Sequence, residues 1–197
     1  LQEEWDNSGF QIKFEVSPVS KVLVAMEITD SVIEEAIDLG AEAIVTHHPM
    51  FFRPISNIYD NTVTGNYIVR LIQNEISVYS SHTPFDKCAG GNNDYLAKLL
   101  DLCDVRVAGE DGFCRTGSVD GQCSAGEYID RICKRLDIDK RAMSFTGDLN
   151  AEVKTVGLCS GAGAEFAAAA ADTGWDLFIT GDVKYHCLLY TSDAADD

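Results

Sequence analysis

The stretch KVLVAMEITDSVIEEAIDLGAEAIVTHH, Lys21 to His48, fits a strand, a helix and a second strand into about 30 residues, the length of a βαβ unit. Its opening is a short apolar run bounded by polar residues, the pattern of a buried strand. Ser31-x-x-Glu34 has the form of a capping box, Val32, Ile33, Ala36, Ile37 and Leu39 follow at helical spacing, and Gly40 supplies the stop. AIVTHH then returns as a strand. Strands joined by a helical crossover are parallel and the crossover is right-handed. His47 and His48 therefore fall at the carboxyl end of a parallel strand.

The alternation continues. NTVTGNYIVRLIQNE places Tyr67, Ile68, Leu71 and Ile72 on one helical face, and ISVYSSHTPFD is a third strand with His82 and Asp86 at or just past its end. Ligands of open α/β sheets gather outside the carboxyl ends of the strands, so His47, His48, His82 and Asp86 can converge from separate strands. Residues 109–150 are less regular, with SAGEYIDRICKRLDI as the clearest helix, and read as a connecting subdomain. From Lys154 the opening pattern recurs: strand KTVGLCS, turn GAGAEF, an Ala-rich helix to Gly174, then strand WDLFITGD. GAEAIVTHH lies over GWDLFITGD with the Gly, an acidic residue, the apolar core and the Thr in register. The expected fold is α/β, with two similar halves of mostly parallel strands around a shared cleft: residues 1–108 the first half, 151–186 the start of the second.

Charge and composition exclude several function classes. A net charge of −17, with 15 basic residues nowhere clustered, argues against a direct nucleic-acid surface. No apolar run reaches the roughly 20 residues that span a bilayer, so no membrane partner is expected and the chain reads as cytoplasmic. The seven cysteines are odd in number and form no CxxC pair, which indicates neither a disulfide framework nor a zinc ribbon, and most of them read as buried thiols.

Imidazoles with a carboxylate suit divalent Zn, Fe, Mn or Ni, whereas Ca prefers oxygen alone. Neighbours on a regular strand face opposite ways, so His47 and His48 would not grip one ion there; at a strand end broken by Pro49 they can diverge to two ions, with Asp86 completing one. Two such ions together activate water and stabilise a leaving oxygen. Spacing alone leaves open a hydrogen-bonded polar strand end. His82 by itself reads as an orienting group, Asp182, Lys184 and His186 as outer or substrate-contacting groups, SGAGAEF as a tight turn, and EEWDNSGF as a loop with a packed Trp5.

EEWDNSGFQI, AIVTHHPMFF, SSHTPFDKCAGGNNDYLAKLL, VGLCSGAGAEF and FITGDVKYH resemble, in order and spacing, the motifs of the Nif-three-like dinuclear metal-centre family, whose members are labelled GTP cyclohydrolase I type 2 homologues. The resemblance implies a site for two divalent transition-metal ions, a ring-shaped homohexamer and a nucleotide-like small-molecule substrate. Position by position, His47 and His48 match the two metal-binding histidines, one per ion, Asp86 the aspartate ligand, and His82 a motif residue that is not a standard ligand. The family's further His and Glu, in a GHxxxE-type motif, are expected beyond FITGDVKYH, so the chain reads as truncated at both ends with an incomplete ligand set. Residues 187–197, CLLYTSDAADD, back-translate into a run resembling a transposase adapter and read as a non-native tail. Two functions follow: a metal-dependent hydrolase of the GTP cyclohydrolase type, and a non-catalytic metal-binding or regulatory interaction protein.

Overall fold

The computed structural model describes residues 2–15, 18–167 and 173–183, and the chain divides into two compact units, Leu1–Phe85 and Asp86–Asp197. The first opens with strand β1 (Gly9–Ile12), which the sequence reading did not contain. The βαβ unit follows as β2 (Val22–Ala25), α1 (Asp30–Leu39) and β3 (Ala43–Thr46), and α2 (Val63–Gln73) crosses over to β4 (Ser77–Ser80). β2, β3 and β4 are parallel, with Val24 opposite Val45 and Val45 opposite Tyr79. β1 runs antiparallel on the outer side of β4, Gly9 opposite Ser80, giving the order β1-β4-β3-β2. The helices bury Ile33, Ala36 and Leu71 against Ile44, Ile76 and Val78, each side chain contributing about 1.5–3 kcal/mol or, for the alanine, less.

Helix α1 is not capped by Ser31 as expected. Thr29 leaves the strand in extended conformation and its hydroxyl accepts the Val32 N–H at 3.2 Å, so the helix starts before Ser31 can act. Gly40 closes it at φ 61, the left-handed conformation that favours glycine.

The second unit contains the end of α3 (Thr83–Lys87), then α4 (Asn92–Leu99), β5 (Cys103–Ala108), β6 (Cys114–Ser118), α5 (Ala125–Leu136), β7 (Thr155–Cys159) and β8 (Leu177–Thr180). Its sheet has the order β5-β6-β7-β8; β7 and β8 are parallel as expected, while the β5–β6 hairpin runs antiparallel to its neighbours. Ser124 and Glu127 cap α5 reciprocally. Ala97, Leu100, Ile132, Val153, Val156 and Leu158 form the core around Tyr128, whose phenol burial pushes up to about 12 and whose hydroxyl donates to the Leu100 carbonyl at 3.1 Å. Among the described cysteines Cys114, Cys123 and Cys159 are buried thiols as expected, whereas Cys88 and Cys133 are half-buried and Cys103 is exposed. SGAGAEF is a tight turn: a Cβ on Gly163 would meet the Cys159 side chain at 2.6 Å. The Ala-rich helix expected after it falls largely on residues 168–172, which with Lys184, His186 and the 187–197 tail lie outside the described residues. No described helix is long and apolar enough to cross a membrane.

The repeat has a physical basis. In the first unit Glu42, just before β3, accepts the backbone N–H groups of Ser20 and Lys21 at 2.6 and 2.8 Å, anchoring the chain entering β2. In the second, Asp176, just before β8, accepts those of Lys154 and Thr155 at 2.9 and 2.8 Å, anchoring the entry to β7. These are the two acidic residues that the alignment superposes. The Lys21 and Ser20 N–H groups hold Glu42 below the usual carboxylate range; Asp176 ends there too, because its hydrogen bonds outweigh its desolvation.

The second unit also buries a charge. The Arg115 guanidinium, on β6, pairs with Asp94 of α4. Desolvation raises the Asp94 pKa, but the bonds from Arg115 and the Gly90 N–H outweigh it, so the net shift is downward from 3.8. The stability this carboxylate contributes is therefore full above that ordinary value and is lost as pH falls through the lowered one. Asp94→Asn is expected to cost about 2 kcal/mol at neutral pH, less than a fully buried pair would. Denaturant unfolding of wild type and variant should converge towards about pH 2. A gap of constant size would show that the charge on Asp94 does not hold Arg115.

Candidate metal centre

At the end of β3 the ladder stops alternating. The backbone N–H groups of His47 and His48 both donate to one carbonyl, that of Met26, at 3.1 and 2.8 Å. Two consecutive residues wrapped around one acceptor cannot send their side chains to opposite faces as strand neighbours do. Their rings instead lie 5.1 Å apart between centroids. The Thr46 hydroxyl fixes the turn by donating to the His48 carbonyl at 2.8 Å, and it meets the Ser80 hydroxyl of β4 at 2.8 Å inside the sheet.

His82 arrives from the end of β4, its ring centroid 5.1 Å from that of His47 and 5.8 Å from that of His48. The imidazole nitrogens of the three converge, one ligand atom from each lying within 4.8 Å of the others. Two nitrogens on one tetrahedral zinc are about 3.3 Å apart, a difference that side-chain rotation can close. Imidazole suits Zn, Cu, Fe and Ni, so the donor set fits a transition-metal ion.

Hydrogen bonds choose which nitrogen of each ring would face an ion. His47 Nδ1 lies 3.2 Å from the Ser81 carbonyl, which only accepts, so Nδ1 carries the proton and Nε2 the lone pair. His82 Nδ1 lies 2.9 Å from Asp6 Oδ1 and is assigned the same tautomer. His48 Nδ1 stands 3.5 Å from the exposed carboxylate of Glu27.

Asp6 is the residue that sequence reasoning missed. Its carboxylate is buried and accepts from the Ser8 hydroxyl at 2.6 Å, the Thr83 hydroxyl at 2.7 Å and the Asn7 N–H at 2.9 Å, besides His82. Burial raises its pKa, but the bonds from Ser8, Thr83 and His82 prevail and keep it below the ordinary value. The EEWDNSGF segment is thus more than a loop over a packed tryptophan: Trp5 is 61% exposed and stands edge-on to His82, 6.0 Å between centroids. The only signal for it was an Asp among small hydroxyl and amide residues before a glycine.

Of the other residues named from sequence, Asp86 opens the second unit, where its Oδ1 accepts from Asn92 Nδ2 at 3.0 Å and from the Ser160 hydroxyl at 3.5 Å. Asp182 is exposed after β8, its N–H bonded to the Gly161 carbonyl at 2.9 Å. His186 lies outside the described residues.

A model of the family described as Duf34/NIF3 (NGG1p interacting factor 3) matches residues 1–195. A Clostridium perfringens protein named GTP cyclohydrolase 1 type 2 homolog is 36% identical over 192 residues, covering 94% of this chain and 72% of its own length. A crystal structure of a Staphylococcus aureus hypothetical protein superposes with a TM-score of 0.87 at 26% identity, covering 98% of this chain and 77% of that one. A Bacillus cereus protein related to NIF3 shares the fold, with a TM-score of 0.84 at 22% identity over 99% of this chain and 80% of that one.

The geometry around Asp6 generates a test. Asp6→Asn preserves size but removes the charge that orients His82. Zn2+ titration by calorimetry should show affinity weakened by about 10–100-fold, as for other groups that orient metal-binding histidines. Lower thermal stability with unchanged affinity would restrict Asp6 to a folding role.

Proposed function

The chain belongs to the Duf34/NIF3 family, and on that premise we propose that it is a dinuclear divalent-metal-binding protein acting as a metal-dependent hydrolase on a nucleotide-like small molecule. The observation that carries the reading is the convergence of His47, His48 and His82 at one point. His47 and His48 would be ligands of two transition-metal ions, Zn, Fe, Mn or Ni, with Asp86 as the carboxylate ligand. A bound pair of such ions supplies Lewis acidity, activating water and stabilising a leaving oxygen.

The chain's own residues do the rest. The Ser81 carbonyl holds His47 in the tautomer that presents Nε2, and the Met26 carbonyl keeps His47 and His48 on the same side of the strand end. His82, anchored through Nδ1 on Asp6, would present Nε2 to the same point as a third imidazole for the metal. Trp5 and Phe52 present exposed rings edge-on to His82, 6.0 and 5.5 Å between centroids, and shield one side of it from solvent. The nucleotide-like substrate is supported by the relatives' label, GTP cyclohydrolase 1 type 2 homolog. A homohexamer, which rests on the family likeness, and a cytoplasmic location belong to the same reading.

Metal analysis of the intact protein, followed by a nucleotide-hydrolysis screen of wild type, His48→Ala and His82→Ala, tests this. His48→Ala should lose bound metal and turnover together, and His82→Ala should weaken metal binding and lower turnover in step. Full metal loading without turnover on any nucleotide would favour the non-catalytic metal-binding or regulatory role. Intact protein that neither contains nor takes up metal would defeat both.

A further inference from the structure

The second unit opens on a turn whose backbone is held from the inside. Asp86, Lys87 and Cys88 offer three consecutive carbonyls, and each accepts from a buried side chain. Asn93 Nδ2 donates to the Asp86 carbonyl at 3.2 Å, and Arg115 Nη2 to those of Lys87 and Cys88 at 3.0 and 3.3 Å. Asn93 and Arg115 are both 0% exposed. The opposite end of the Asn93 amide accepts the Ser160 N–H at 2.7 Å, tying the turn to the residue just after β7. On this base sits a second layer. Asn92 Nδ2 donates to Asp86 Oδ1 at 3.0 Å and to the Ser160 hydroxyl at 3.1 Å, and that hydroxyl lies 3.5 Å from the same Oδ1.

Local structure does not require this arrangement. Helix α4 begins at Asn92, whose amide is bonded to Asp86 and Ser160. Burying an arginine and an asparagine is costly unless every polar group is satisfied, and apolar replacements of similar volume would serve stability as well. What such a network supplies that an apolar core cannot is a fixed direction for the carboxylate at its end. Resting on the reading of Asp86 as a ligand, we propose that Asn92 and Ser160, seated on Asn93 and Arg115, are positioning residues that hold the Asp86 carboxylate for a divalent transition-metal ion.

The test is Co2+ binding to the intact protein, followed by calorimetry for affinity and stoichiometry and by the visible d–d bands for ligand geometry. Asp86→Asn should lose one equivalent of Co2+. Asn92→Ala and Ser160→Ala should each weaken binding of that equivalent by about 10–100-fold and shift the bands, with melting temperatures close to wild type, and Ser160→Thr should recover the wild-type spectrum. Asn92→Asp, which keeps the shape but replaces the donor with a like charge, should weaken it further and stands in if the alanine variant does not fold. If Asp86→Asn loses an ion but the Asn92 and Ser160 variants bind and absorb as wild type, or change only the melting temperature, the positioning role is overturned while the ligand reading survives. If Asp86→Asn itself binds and absorbs as wild type, the ligand reading fails and the positioning role with it.

Discussion

The candidate centre depends on one shared acceptor. The Met26 carbonyl takes the N–H groups of both His47 and His48, which ends β3 as a strand and turns two residues that would have faced opposite ways into a pair. The surrounding sequence supports that break. Thr46 is the last ladder residue and uses its hydroxyl on the His48 carbonyl, and Ser80, level with it on β4, closes the same contact from the next strand. A valine at position 46 would suit the buried strand equally well but could not satisfy that carbonyl. The β-branched, hydroxyl-bearing threonine is compatible with both the strand and the turn.

The two units share a frame and differ in what they mount on it. Glu42 and Asp176 perform the same task of anchoring the entry to the neighbouring parallel strand, and Gly40 and Gly174 both adopt left-handed conformations ahead of them. Thr46 and Thr180 end the corresponding strands, yet their hydroxyls serve different ends. Thr46 shapes the two-histidine turn, whereas Thr180 donates to the Gly161 carbonyl at 3.0 Å and accepts the Gly163 N–H at 2.9 Å, holding the glycine-rich turn closed. Where the first unit carries His47 and His48 the second carries Gly181 and Asp182, so duplication of the frame did not duplicate the imidazoles.

The parallel sheet and the histidine positions were legible because they rest on local signals: apolar runs, a helical period and a glycine stop between them. What escaped was set by partners distant in sequence. β1, the four residues GFQI, is too short to signal a strand by itself and becomes one only by pairing with β4, which is also what carries Asp6 to His82, 76 residues away. Ser31 looks like a cap by spacing, but the path of the chain out of β2 gives the position to Thr29. β6, CRTGS, shows no apolar alternation because its largest buried member is an arginine, whose acceptors lie on residues 87, 88, 94, 112, 113 and 114. Three of these six residues lie 21 to 28 positions away in the chain, and it is their contribution that its own neighbours do not show.

The two orienting contacts of the histidine cluster differ in what they depend on. His47 is set by the Ser81 carbonyl, a backbone group that follows directly from the β3–β4 pairing, so its orientation is as secure as the sheet itself. His82 is set by a carboxylate from the segment preceding an edge strand, and that carboxylate is in turn held by Ser8 and Thr83. Asp6 reaches His82 only when β1 is docked on β4. Strand ends at sheet edges open at lower free energy than central strands. Any opening of β1 would therefore release His82 first and leave the His47–His48 turn, built from β2, β3 and β4, in place.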